Sequence, residues 1–123
     1  MTKEDIELLY IDLCSRIPYK NTYIKIYDKD GNYIKTEELW EVTNDHKVNV
    51  VYDIDQVKPI IRPLSSMTRE EERDLNIIVQ STNITDICRN ALKTAWYYSQ
   101  NFDIYNLISA KIAIEKTNEE SCE

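Results

Sequence analysis

The chain has 123 residues and a mass of 14.6 kDa, the size of one ordinary domain, and such a length buries enough surface to fold without a disulfide or a structural metal. Hydrophobic residues at 42% and charged residues at 30% mark a globular chain, and a single glycine excludes a glycine-rich phosphate loop. With 15 basic and 22 acidic side chains, the net charge of −7 opposes non-specific binding to a duplex backbone.

The first element is a helix. Thr2 caps it with Asp5 three residues on, and Ile6, Leu9, Tyr10, Leu13, Cys14 and Ile17 recur at helical spacing before Pro18 ends it. Period two follows. Tyr23–Tyr27 and Tyr33–Thr36 flank an Asp28-Lys29-Asp30-Gly31 turn, and the simplest register pairs Tyr27 with Tyr33, Ile26 with Ile34 and Lys25 with Lys35. A second hairpin is predicted from Glu38–Val42 and Val48–Tyr52, turning at Asn44, Asp45 and His46, with Val42 facing Val48 and Trp40 facing Val50. Four short antiparallel strands suit a small curved sheet or SH3-like barrel. The two prolines of Lys58-Pro59-Ile60-Ile61-Arg62-Pro63 predict an edge strand or strap.

Thr68 with Glu71 forms a capping box for a second helix running to about Gln80, with Leu75, Ile78 and Val79 inward. A third begins near Asn83 or Thr85 and carries the stripe Ile84, Ile87, Cys88, Ala91, Leu92, Ala95 and Trp96. Residues 102–108 read as a turn and short helix, and Ile112–Ile114 as a last extended piece. The expected architecture is therefore one α+β domain over 1–116: an N-terminal helix, a sheet region at 22–62 and a C-terminal helical pair at 68–109. A polar tail at 117–123 is expected to fray.

Around the strap, Val57-Lys58-Pro59 and the run Arg62, Pro63, Leu64, Ser65, Ser66, Met67, Thr68 resemble a group of short uncharacterised proteins carried by phages, prophages and mobile elements of gut bacteria. The likeness extends to Asp12–Tyr19 and to Asn101–Ile108, where this chain departs at Ile104, Tyr105 and Asn106. The resemblance implies a phage origin and an intracellular setting, and transfers no activity.

Three cysteines (Cys14, Cys88, Cys122) without a C-x-x-C spacing read as free thiols, Cys14 and Cys88 buried on helical stripes. With no signal-peptide pattern at the start, a reducing bacterial cytoplasm is the expected setting. Ser65 and Ser66 precede a helix start, but His46, the single histidine, sits in a turn, and no nucleophile motif is present. Asp28-x-Asp30-Gly31 lacks the spacing of a calcium loop, while Asp53, Asp55, Glu37, Glu38 and Glu41 read as a solvated acidic face. No catalytic residue, metal or cofactor is expected.

Two surfaces remain. Tyr23, Lys25, Tyr27, Tyr33 and Lys35 share one predicted sheet face, lysines among tyrosines as on a single-strand or nucleotide binder. Tyr97, Tyr98, Phe102 and Tyr105 cluster near the end of the third helix as a candidate protein-contact patch. The expected function is a small non-enzymatic interaction or adaptor module of phage type, with a host or phage protein as partner and no membrane span. The alternatives are an acidic inhibitor of a host nucleic-acid-binding or defence protein, and a nucleotide or single-strand binder.

Overall fold

The computed structural model describes residues 1–116, so the tail at 117–123, with Cys122, lies outside the described residues. Helix α1 (Lys3–Arg16) starts at the expected capping box: Thr2 Oγ1 accepts from the Asp5 amide at 3.1 Å, and Asp5 Oδ2 accepts from the Thr2 amide. Strands β1 (Tyr23–Tyr27) and β2 (Tyr33–Glu38) follow, then a short ribbon of β3 (Lys47–Val48) and β4 (Tyr52–Asp53). Strand β5 (Val57–Ile61) leads to helices α2 (Arg69–Val79) and α3 (Asp86–Ser99), and β6 (Ile114–Glu115) comes last. The main sheet has the order β2-β1-β5-β6, antiparallel except for the parallel pair β5–β6.

The α+β class is as expected, but the sheet is open and does not close into a barrel. The second hairpin fails to join it. Val42 does meet Val48, yet the chain turns again at Asn49–Val51, so β3 pairs with β4 and Trp40 does not face Val50. The cause is Asn49, whose side chain draws Trp40 and Glu41 into a loop instead of a strand. The strap is not an edge either, since β5 lies between β1 and β6. Its proline is tolerated because β6 spans only Ile60 and Ile61, leaving Pro59 with no partner on that side.

Leu9 and Leu13 of α1 join Ile24, Ile26, Val57 and Ile61 of the sheet in one buried cluster with Leu39, Val48, Ile54 and Leu107. Beside that cluster sits a feature that hydrophobic periodicity does not reveal. Asp12 and Arg16, one helical turn apart, are both fully buried. Arg16 donates from Nε to Asp12 Oδ2 at 2.7 Å and from Nη2 to Asp12 Oδ1 at 3.0 Å. Nη2 also donates to the Phe102 carbonyl at 2.7 Å, and the guanidinium stands 4.9 Å from the Tyr98 ring centroid. Thus α1 is fastened to the end of α3 and to the turn after it.

Arg16→Ala should leave the Asp12 carboxylate buried without its partner and lower unfolding free energy by about 3–5 kcal/mol in urea titrations. Asp12→Leu with Arg16→Met should restore most of that loss. A single variant as stable as the wild type would remove the pair from its structural role.

Candidate functional site

A bulge changes the lysine–tyrosine face. Tyr27 pairs with Tyr33 as expected, but the register shifts between Ile26 and Tyr27, so Lys35 pairs with Ile26 and Lys25 with Thr36. Residues directly opposite share a face, so Lys35 moves to the side of Ile26 and bonds Glu37 at 3.0 Å. Lys58 of β5 takes its place, directly opposite Lys25. The ammonium groups lie over rings, Lys25 Nζ 5.8 Å from the Tyr33 centroid and Lys58 Nζ 5.4 Å from that of Tyr27. Lys58, a residue absent from the sequence-based set, thus joins this face beside Lys25 and Tyr27, with Tyr33 reached through Lys25.

The aromatic group at the end of α3 turns inward. Tyr98 and Phe102 are buried, Tyr97 is half-buried and only Tyr105 is exposed. Asn101 adopts a left-handed conformation (φ 65°), which folds Phe102 back so that its ring lies 5.8 Å from Trp96 and 6.3 Å from Tyr97. These four residues are therefore mostly core and not a contact patch. Burial and the neighbouring Asp12 charge push the Tyr98 phenol above its ordinary range, and burial also raises the Asp12 carboxyl against the pull of Arg16. Perturbed groups of this kind can mark an active site. Here Asp12 and Arg16 are spent on each other, and neither reaches solvent.

The strap motif is a staple. Arg62 grips Glu71 through two 2.7 Å hydrogen bonds, donates from Nη2 to the Ser66 carbonyl at 3.2 Å, and covers the Phe102 ring at 4.3 Å. Pro63 begins the turn whose Ser66 hydroxyl returns to its carbonyl. Thr68 caps α2 with Glu71 as expected, Ser65 is exposed, and Met67 is half-buried between them. The other chemical candidates have structural partners. Asp28 Oδ1 accepts from the Asp30 and Asn32 amides, which makes the calcium-loop look-alike a turn. Asp53 pairs with Lys47, and among the described residues no three His, Cys, Asp or Glu side chains converge to hold a metal. His46 rests on the Tyr10 ring, their centroids 4.4 Å apart.

What sequence reading missed lies at the second turn of the β3–β4 region. Asn49 is buried; its Oδ1 accepts from the Trp40 and Glu41 amides, and its Nδ2 donates to Glu37 Oε2 at 2.6 Å and to the Glu38 carbonyl at 2.8 Å. Around this fixed point Trp40 is 56% exposed, Val50 53% and Val51 70%. Val50 sits at φ 71°, a left-handed conformation that β-branched residues avoid at a cost of about 1–3 kcal/mol. The signal available in the sequence is Asn49, a residue that tolerates φ above zero, next to two valines.

No protein-family model, curated protein or solved structure matches the chain.

Hydrogen bonds from Arg62 and from the Thr68 amide hold the Glu71 carboxyl down from its ordinary 4.5 to about 2. Its ionised form thus adds stability that is fully present above pH 4.5 and lost as pH falls toward about 2. Glu71→Gln should remove this dependence. The wild-type advantage over Glu71→Gln, measured by urea unfolding from pH 6 downward, should shrink through that window; a constant difference would contradict the assignment.

Proposed function

We propose that the protein is a small non-enzymatic interaction module of phage type, acting in the host cytoplasm by seating the Trp40–Val50–Val51 knuckle in an apolar pocket of a partner protein. The phage setting comes from the resemblance around the strap. The observation that supports binding is the strained Val50 beside Asn49. A β-branched side chain is held in an unfavourable backbone state, and the structure around it fixes the loop without burying it. Strain that adds nothing to packing fits a side chain kept in place for contact. Tryptophan on a rigid support is the residue type that dominates protein interfaces, and a preorganised loop loses little entropy on binding.

Capture from a bacterial host lysate, with the captured protein identified and titrated calorimetrically, tests this reading. Trp40→Ala should weaken binding by about 30-fold, the equivalent of a hot spot near 2 kcal/mol. Val50→Asn should also weaken binding while raising unfolding free energy by up to about 1 kcal/mol, because asparagine accepts the left-handed conformation. Unchanged affinity in both variants would overturn the reading.

The lysine–tyrosine face supports a second reading, binding of a single strand or nucleotide, on the opposition of Lys25 and Lys58 across β1 and β5. Two ammonium groups on one face beside tyrosine rings are the groups such a site uses, cations for phosphate and rings for bases. A labelled oligonucleotide should then be retained on filters, with a log–log salt slope of about −1.4 for two phosphate contacts. Lys25→Glu with Lys58→Glu should abolish retention, and its persistence would exclude this face.

A further inference from the structure

The α2–α3 hairpin leaves bare an apolar face that the sequence leads one to expect in the core. No residue of α2 is buried, and α3 is buried only at Tyr98, near its C-terminal end. On the third-helix stripe Ile87 is 82% exposed and Leu92 50%, with Cys88 and Ala91 exposed between them. Exposed apolar surface that is continuous along a helix face marks an interaction site.

We infer that this face is covered by a second copy of the chain, with the two α3 helices antiparallel about a two-fold axis that passes between Arg89 and Asn90. The face is self-complementary under that operation. Reversal about that point places Ile87 opposite Leu92 and Cys88 opposite Ala91. Small residues meet at the centre, where they allow the backbones to approach, and larger ones close the pair on either side. An isologous interface demands this kind of match, because each patch must fit itself.

Charge points the same way. In a chain of net charge −7 a charged patch repels its own copy, but this stripe carries no ionisable carboxylate or amine. The charges of α3 lie elsewhere: by helical spacing Asp86, Arg89 and Lys93 fall outside the stripe, Arg89 donating to the Ser81 carbonyl and pairing with Asp86. Antiparallel alignment also sets the two helix dipoles against each other favourably. With α2 carried alongside, the assembly is a four-helix bundle of two hairpins. This inference does not rest on the Trp40 knuckle, which a dimer would present twice.

Light scattering on eluting protein should give about twice the 14.6 kDa chain mass at a loading of about 100 µM. Ile87→Asp with Leu92→Asp should give the monomer mass, and at a protein concentration low enough for the wild type to be monomeric too its urea midpoint should match the wild type's, because both side chains are already exposed within one chain. It should still capture the partner of the knuckle. The register is read by Ala91→Cys in a Cys122→Ser background, where mild oxidation should yield a covalent dimer whose mapped bond joins Cys88 to the introduced thiol. Such a bond needs Cα atoms within about 7 Å. A monomeric wild type at that loading would overturn the inference and leave the knuckle untouched. So would a dimer that survives the double substitution, an interchain bond in another register, or a different protein captured through the α3 face.

Discussion

The buried Asp12–Arg16 pair sets the position of nearly everything else. A guanidinium removed from water must find acceptors, and this one finds Asp12 on its own helix and the Phe102 carbonyl beyond α3. Asn101 completes the arrangement. Its Oδ1 accepts from the Thr22 hydroxyl at 3.2 Å, just before β1, and its Nδ2 donates to the Ile60 carbonyl of β5 at 3.3 Å. The first helix, both central strands and the end of the last helix therefore meet at one polar knot. An apolar contact would tolerate sliding between these elements. Directional hydrogen bonds to a buried charge do not, so the knot supplies registry that the surrounding leucines and isoleucines cannot.

A second constraint is the near absence of glycine. Gly31, at φ 87°, serves the first hairpin turn. The other left-handed positions fall to Lys20, His46, Asn49, Val50, Asn101, Asn106 and Lys111. Asparagine bears this with little penalty, because its short side chain bonds locally, and Asn49 and Asn101 are both buried and bonded on several sides. Val50 has no such compensation. Of these residues it alone is β-branched, and it stands half exposed, so neither its side chain's preference nor packing accounts for the strain.

The helices were legible because their signals are local. Thr2 with Asp5, Thr68 with Glu71, and Thr85 before α3 mark starts through groups three residues apart. The first hairpin was legible as far as its turn and its Tyr27–Tyr33 pair. The bulge one residue later leaves Ile34 between the Tyr27–Tyr33 and Ile26–Lys35 pairs, and the period-two pattern of β2 gives no sign of it. Pairing of Arg16 with Asp12 fitted an ordinary surface helix equally well, because the spacing of four is the same whether water or Phe102 lies beyond. Lys58 escapes sequence reading for a related reason: Pro59 and Pro63 make β5 read as a strap, and only its central place in the sheet brings that lysine opposite Lys25.

The third-helix stripe shows how far periodicity reaches. Spacing states that Ile84, Ile87, Cys88, Ala91, Leu92 and Ala95 share a face, and the structure places all but Ile84, which precedes the Thr85 cap, on α3. Spacing does not state what the face meets. Helix α1 covers only the end near Tyr98, because the Arg16 knot draws it there, and the outer turns run past it. The same interaction that orders the domain thus leaves this uncharged apolar surface uncovered. Had α1 docked nearer the start of α3, Ile87 and Leu92 would be core residues with nothing to explain. Their exposure follows from where one buried arginine finds its acceptors.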